Sequence, residues 1–146
     1  MKIFNRRVSY DYQILEKFEA GIVLTGSEVK SVKAGHLHLE EAFCQVKDGE
    51  LWLFNAHIHP YKFADTRNYD PRRTRKLLLH KNEILKLAQY SSQKGLTIVP
   101  ISCYTKGNKI KLEIALAKGK KKYEKKTKIK ERDLEREQKE RLKFGL

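Results

Sequence analysis

The segment KIKLEIALA near the end of the chain shows the most regular alternation in the sequence. Every second residue from Ile110 to Leu116 is a large aliphatic residue, whereas Lys109, Lys111 and Glu113 lie between them. Because successive side chains of a strand point to opposite faces, this pattern predicts a strand with one buried and one solvated face. Such strands are typical of antiparallel sheets that cover a single core. The segment therefore restricts the chain to a fold with an antiparallel sheet.

Further strand segments fit the same fold class. Asp48-Gly49 separates two of these segments, and this dipeptide tolerates the positive φ angles of a type I′ hairpin turn. A second hairpin is predicted to turn at 106–108 and to end in the strand described above. The predicted strands cover residues 12–24, 42–46, 51–58, 96–104 and 109–117.

Two short helices complete the predicted elements. Thr25 and Glu28 have the spacing of a capping box, which predicts a helix within 25–35. A second helix is predicted at 80–90, and residues 59–76 are predicted to form a long loop. The second helix is expected to bury one face, which consists of Ile84, Leu85, Leu87 and Ala88.

The length of the chain fits one compact domain with an appendage. Its 146 residues are 40% hydrophobic, which is enough for one core. Several antiparallel strands with two or three short helices predict a mainly β fold, an OB-like barrel, because closure removes exposed strand edges. We place this barrel in residues 1–117 and a basic tail in residues 118–146.

The charge of the chain is concentrated at the start of this tail. The net charge is +14, and residues 118–130 alone carry eight lysines and one glutamate. So concentrated a field attracts polyanions, namely nucleic acid or an anionic membrane. A membrane is disfavoured, since no apolar run approaches about 18 residues and the N-terminus lacks a signal peptide. Two distant cysteines outside any CxxC pattern fit the reducing cytoplasm.

The tail itself is predicted to be largely disordered when the protein is free. Residues 118–130 contain too little apolar surface to offset the loss of chain entropy. Residues 131–143 contain opposite charges four residues apart, such as Glu135 with Lys139, which support a helix. We expect this helix to form only on a partner.

The sequence favours RNA binding over a metal site or an enzyme active site. His36 with His38, and His57 with His59, form two HxH pairs, but no cysteine or acidic cluster joins them, so we predict no metal and no cofactor. No nucleophile elbow, Walker loop or HExxH motif is present, which disfavours an enzyme. Basic clusters, with tyrosines that can stack on bases, favour RNA binding. The cluster proposed to contact RNA is Arg72, Arg73, Arg75 and Lys76.

Four stretches of the chain resemble the small protein B (SmpB) family. They are FEAGIVLTGSEVKSVKAG at 18–35, DPRRTRKLLLHKNEI at 70–84, KGLTIVPISCY at 94–104, and ALAKGKKKYEKK with IKER within 115–132. The resemblance implies an OB-like barrel that binds the tRNA-like domain of transfer-messenger RNA during ribosome rescue. It places RNA contacts at Asn5, Glu19, Leu78 and Lys111.

The resemblance also gives the tail a role on the ribosome. It implies that the tail of a monomer occupies the decoding centre and the empty mRNA channel of a stalled ribosome. Elongation factor Tu and alanyl-tRNA synthetase would act on the same RNA. The tail positions proposed to bind the ribosome are Lys118, Lys120, Lys121, Tyr123, Glu124, Lys125, Lys126 and Leu134.

The chain departs from the usual family tail, and two other functions stay open. Glu124 and Lys126 stand where aspartate and arginine are common, and Leu134 replaces a common tryptophan. Lysine lacks the planar fork of arginine, so bidentate contact at position 126 is not expected. One alternative is a general OB-type RNA-binding or initiation-factor-like protein that binds the ribosome without transfer-messenger RNA and shows little preference for a tRNA-like fold. The other is an RNA-modifying or RNA-cleaving enzyme.

Overall fold

The computed structural model describes residues 1–65, 67–93 and 95–119, which form one antiparallel barrel with three helices and a small two-stranded sheet. The helices are α1 (Val8–Asp11), α2 (Gly26–Lys33) and α3 (Lys81–Ser91). The strands are β1 (Lys2–Phe4), β2 (Tyr12–Ile22), β3 (Leu37–His38), β4 (Phe43–Lys47), β5 (Glu50–Phe54), β6 (His57–Ile58), β7 (Arg75–Leu78), β8 (Leu96–Lys106) and β9 (Lys109–Gly119).

The main sheet closes on itself. Its strand order is β1-β8-β4-β5-β7-β2-β9, and β9 also pairs with β8, so six of the strands form a ring. Every pairing is antiparallel, and β1 joins the edge of β8 from outside the ring. This arrangement confirms the predicted mainly β, OB-like barrel. Closure leaves few unpaired strand edges along the described chain.

The regular strand behaves as predicted over most of its length. Ile110, Leu112, Ile114 and Leu116 are all buried in the barrel core. The outer face is solvated only near its start, because Ala117 is also buried, against Val8 of α1 and Val99 of β8. The prediction of one fully wet face was therefore wrong for the second half of β9, where α1 covers the barrel.

The first hairpin has the predicted turn but a shorter second strand. Asp48 and Gly49 have φ angles of 55° and 76°, as a type I′ turn requires. The strand predicted at 51–58 divides at Asn55, which has a φ of 65°. After this residue the chain leaves the barrel, and β6 pairs instead with β3 in the small sheet.

The predicted loop at 59–76 was too long at its end. Residues Arg75–Leu78 form β7, which joins β5 to β2 and is needed to close the ring. The strand was missed because one of its inward positions is an arginine. Arg75 and Leu77 are the buried residues of β7, so the alternation of apolar side chains is hidden.

The two predicted helices are present, with one correction. The capping box of α2 is complete, because the Thr25 hydroxyl accepts from the Glu28 amide and the Glu28 carboxylate accepts from the Thr25 amide. In α3, Leu87 is fully buried but Leu85 is 65% exposed, so the predicted apolar face was too wide. The predictions for tail residues 120–146, including the helix at 131–143, lie outside the described residues.

Candidate RNA interface

Strand register places a row of outward-facing residues across one face of the barrel. Gly21 of β2 pairs with Leu78 of β7 on one side and with Lys111 of β9 on the other. Lys111 in turn pairs with Tyr104 of β8. Directly paired residues of an antiparallel sheet project from the same face. Leu78, Lys111 and Tyr104 therefore stand side by side, although they are far apart in the sequence.

The missing side chain at Gly21 opens a groove in this row. A Cβ atom on Gly21 would lie 3.4 Å from the Cβ of Leu78, in ordinary contact, and glycine leaves this position open. The groove has a volume of about 360 Å³, with Val29 and Ile110 among its apolar lining and Lys111 at its rim. Leu78 is 52% exposed beside it. The groove thus combines an apolar wall with a positive charge.

Glu19 lies on the same outer face, two residues before Gly21. Its carboxylate accepts a hydrogen bond from the Tyr104 hydroxyl and another from Lys106 Nζ at 3.3 Å. The Tyr104 hydrogen bond and the nearby lysines lower the pKa of Glu19, although desolvation of its carboxylate opposes them. Burial and the Glu19 carboxylate raise the pKa of Tyr104 to about 12. Glu19 is therefore an ionised hydrogen-bond acceptor in a defined position.

These placements bring together three of the four RNA contacts that the family resemblance implies. Lys111 supplies a cation for a phosphate, and Leu78 supplies an apolar surface for a sugar or base. Glu19 repels phosphate but accepts hydrogen bonds from base amino groups or ribose hydroxyls. The sequence places Lys106 in a basic cluster with Lys109 and Lys111 but does not indicate Tyr104, which orients Glu19 together with Lys106. The pairing of β8 with β9 in the second hairpin is the feature that could have indicated Tyr104.

Asn5 is in a different environment. It is buried, and its side-chain amide donates to the Leu39 carbonyl at 3.1 Å and to the Pro100 carbonyl at 2.9 Å. Its side-chain oxygen accepts from the Arg7 amide at 3.2 Å. The residue therefore ties the N-terminal segment to the barrel. A contact between its side chain and RNA would have to replace one of these bonds.

The basic cluster at 72–76 is dispersed among acidic partners. Arg72 Nη1 lies 3.1 Å from Glu41 Oε2 and 3.1 Å from Asn55 Oδ1. Lys76 Nζ lies 2.9 Å from Glu50 Oε1. Both pairs are partly exposed, so an RNA phosphate can compete for these cations.

Arg75 is the exception within this cluster, because it is fully buried. Its Nε and Nη2 atoms donate to Glu28 Oε2 at 2.8 Å and 2.6 Å, and Nη1 donates to the Ala56 carbonyl at 2.7 Å. Burial alone would raise the pKa of Glu28, but hydrogen bonds from Arg73, the Thr25 amide and Arg75 lower it to about 2. A guanidinium enclosed in this way has no surface for RNA, so Arg75 is a structural residue.

The four histidines of the HxH pairs meet on the small sheet. The ring centroids of His38 and His57 are 5.9 Å apart, as are those of His36 and His59. Within residues 1–65, 67–93 and 95–119, no three His, Cys, Asp or Glu side chains are placed to hold a metal ion. In the same ranges, no helix has the length and apolar content needed to cross a membrane.

Lys118 is the one predicted tail contact within the described residues. It is exposed and pairs with Leu96 near the end of β9. The other predicted ribosome contacts lie outside the described residues, and they are Lys120, Lys121, Tyr123, Glu124, Lys125, Lys126 and Leu134.

Comparison with known proteins identifies the family. The family model described as SmpB protein matches residues 2–144. An SsrA-binding protein of Sulfurihydrogenibium sp. (strain YO3AOP1) is 58% identical over 133 residues, which cover 91% of this chain and 88% of the relative. An SsrA-binding protein of Persephonella marina is 53% identical over 133 residues, with the same coverage.

A solved structure is similar as well. It is described as "tmRNA-SmpB: a journey to the center of the bacterial ribosome", and its matching chain is 48% identical with a TM-score of 0.70. The match covers 83% of this chain and 85% of the other. A family match over almost the whole sequence, close relatives and a shared fold lead to one conclusion: the chain belongs to the SmpB family.

Proposed function

We propose that this chain binds the tRNA-like domain of transfer-messenger RNA and delivers that RNA to stalled ribosomes. The observation that carries the proposal is the convergence of Glu19, Leu78 and Lys111, from three strands, on one face of the barrel. The names of its relatives support the RNA partner, since they are SsrA-binding proteins. The similar solved structure, named for tmRNA, SmpB and the ribosome, supports the setting.

The barrel face suits a folded RNA better than a bare phosphate chain. Lys111 forms no ion pair within the described residues, so its ammonium is available to a backbone phosphate. The negative charge of Glu19 beside it repels a second phosphate at close range. The Glu19 carboxylate can instead accept hydrogen bonds from a base edge or a 2′-hydroxyl. This combination recognises the local shape of a folded RNA. Arg72 and Lys76 contribute further phosphate contacts if RNA displaces their carboxylate partners, whereas Arg73 is held by the buried Glu28 carboxylate.

The tail would supply the ribosomal half of the function. Half of the net charge lies in residues 118–130, and such a segment binds ribosomal RNA with release of counterions. In this proposal, residues 118–146 of a monomeric cytoplasmic protein enter the decoding centre and the empty mRNA channel. Elongation factor Tu and alanyl-tRNA synthetase join through the shared RNA. The protein itself performs no catalysis in this scheme.

The test is a titration of the isolated tRNA-like domain with wild-type protein, Lys111→Ala and Lys47→Ala. Both lysines lie on the barrel surface, but Lys47 is in the hairpin of β4 and β5, two strands from Leu78, and does not line the groove. We expect Lys111→Ala to weaken binding and to reduce the slope of log K against log salt concentration by about 1. Lys47→Ala should have a smaller effect on both the affinity and this slope. Equal effects of the two variants would refute the placement of the interface.

A truncation after Gly119 separates the two halves of the proposed function. This end point keeps β9 intact, since Gly119 is its last residue. We expect the truncated protein to bind the tRNA-like domain within about tenfold of wild type, or about 1.4 kcal/mol. It should not support tagging of nascent chains on ribosomes stalled at a message's end. Equal binding of an unrelated structured RNA would favour a general OB-type RNA-binding protein instead.

A further inference from the structure

The loop between β6 and β7 displays a pair of aromatic rings. Tyr61 and Phe63 meet edge to face, with ring centroids 5.5 Å apart and planes at 70°. Phe63 is 77% exposed, more than any other large apolar side chain of the described residues. Exposure of a phenylalanine forgoes the free energy of burying its ring. An exposed apolar patch beside polar or charged residues is typical of an interaction site.

Each ring is accompanied by a lysine. Lys30 Nζ of α2 lies 5.4 Å from the centroid of Tyr61, and Lys62 Nζ lies 5.4 Å from that of Phe63. Neither lysine forms an ion pair in the part of the chain that the structure describes. By contrast, Arg67 in the same loop is paired with Asp65 at 2.9 Å. The positive charge at the two rings is therefore available to an external anion.

The loop that carries these rings is anchored to the barrel. The Ala64 amide donates to the Tyr61 carbonyl at 3.0 Å, which forms a turn around Phe63. Farther along the loop, the Tyr69 hydroxyl donates to the Ile58 carbonyl at 2.9 Å and lies 3.2 Å from Glu28. These contacts hold the loop against α2. The rings are thus presented from a supported position, which lowers the entropic cost of binding.

We propose that Lys30, Tyr61, Lys62 and Phe63 form an aromatic platform, a second RNA contact on which an unpaired nucleobase stacks. The base would lie on the exposed face of Phe63, and the adjacent phosphates would contact Lys30 and Lys62. A peptide with an apolar side chain would fill the ring surface but would leave both ammonium groups without an anion. RNA supplies a π face and phosphates at the spacing of one nucleotide, so it matches both features.

The aromatic platform is distinct from the groove at Leu78 but adjacent to it. Val29 lines that groove, and the next residue, Lys30, stands over Tyr61. Helix α2 therefore separates the two surfaces, and one folded RNA can contact both. The inference concerns any RNA with an exposed base and does not depend on the identity of the RNA in the proposed function.

The test follows the ring resonances of Phe63 and of the adjoining Tyr61 by NMR in the full-length protein during titration with octaadenylate. These site-specific signals separate binding at the platform from binding by the basic tail. Stacking of an adenine on Phe63 should shift the Phe63 ring protons upfield in the wild type, because they lie over the ring current of the base, and should change the shifts of the neighbouring Tyr61 ring, which reports binding in the Phe63 variants. Phe63→Ala and Phe63→Leu should each raise the apparent Kd at this site by about 5- to 150-fold, the range of single base–aromatic stacks. The leucine variant keeps an apolar surface but lacks the π face.

Matched controls cover the apolar and the charged parts of the platform. Leu85→Ala removes a similarly exposed apolar side chain from α3 and should leave the Tyr61 shifts unchanged. Lys30→Ala with Lys62→Ala should lower the salt slope at this site by about 1.4, for two phosphates of a single strand. The double variant Lys47→Ala with Lys81→Ala removes the same total charge from residues outside the platform. It should change the salt slope at the platform by much less.

Three outcomes would overturn the proposal. They are an absence of upfield shifts with octaadenylate, wild-type affinity of Phe63→Leu, and equal effects of the two lysine pairs. Wild-type affinity of Phe63→Leu would assign the ring to an apolar protein contact. Lys111→Ala should leave the Tyr61 shifts unchanged, so failure of the groove and failure of the platform are distinguishable.

Discussion

Replacement of Arg75 by methionine tests whether this basic residue supports the fold or contacts RNA. Methionine retains much of the apolar stem but none of the hydrogen-bond donors. The substitution removes two bonds to Glu28, one each to the carbonyls of Ala56 and Pro71, and one to the Tyr69 hydroxyl. It also leaves the Glu28 carboxylate buried with fewer partners. We therefore expect a large loss of stability and no direct loss of RNA affinity.

The magnitude follows from the burial of the pair. Loss of one partner from a fully buried ion pair costs about 3–5 kcal/mol, because the remaining charge stays in a poorly solvated site. Arg73 and the Thr25 amide still donate to Glu28, which favours the lower end of this range. A domain of this kind has a free energy of unfolding of about 5–15 kcal/mol, so the loss is a large fraction of the total.

Urea unfolding, followed by far-UV circular dichroism, measures this loss. Arg67→Met is the matched control, because Arg67 also binds a carboxylate at 2.9 Å but both partners are exposed. An exposed pair contributes about 0–1 kcal/mol, so the control should remain near wild type. Similar stability of Arg75→Met and wild type, or equal losses in both variants, would refute the reasoning. Reduced affinity of fully folded Arg75→Met for the tRNA-like domain would restore Arg75 as an RNA contact.

Three further predictions concern stability. The folded-state pKa of Glu28 is about 2, below its ordinary value of 4.5. The ionised carboxylate should therefore contribute about 3 kcal/mol to the stability of the wild type at pH 5, and this contribution should be lost as the pH falls to 2. Glu28→Gln should lack this pH-dependent contribution when unfolding is measured across the same range. Gly49→Ala should lower the melting temperature by the equivalent of about 1 kcal/mol, because φ is 76° there. Both Gly49 and Gly26 have open space for a Cβ, so Gly26→Ala, at a position without a positive φ, should not lower it. Leu87→Ala should cost about 2–5 kcal/mol in chemical unfolding, and Leu85→Ala, at an exposed position of the same helix, no more than about 0.5 kcal/mol.

Some features of this fold can be predicted from short stretches of sequence. The alternation from Ile110 to Leu116 predicted the regular strand, and Asp48-Gly49 predicted the hairpin turn. The spacing of Thr25 and Glu28 predicted a capping box that is present. Each of these features depends on residues within a few positions of one another, so local backbone preference and side-chain periodicity are sufficient to reveal it.

The family resemblance identified more of the candidate RNA contacts than the periodicity of the sequence did. The resemblance implies RNA contacts at Glu19, Leu78 and Lys111; Glu19 and Leu78 lie within matching stretches, whereas Lys111 lies outside them and is also placed on an outer strand face by its alternation. Their convergence on one surface depends on the register of β7, β2 and β9. No single stretch of sequence contains that register.

The tertiary structure alone decided which polar residues are buried. In the sequence, Arg75 is one of several neighbouring basic residues, but in the fold it is enclosed against Glu28, 47 positions away. Asn5 likewise bonds to carbonyls 34 and 95 positions away. A buried polar group is stable only where distant parts of the chain supply its partners, and those partners are absent from its local sequence. Local pattern therefore determined most of the elements, and packing between distant segments determined which charged side chains remain exposed.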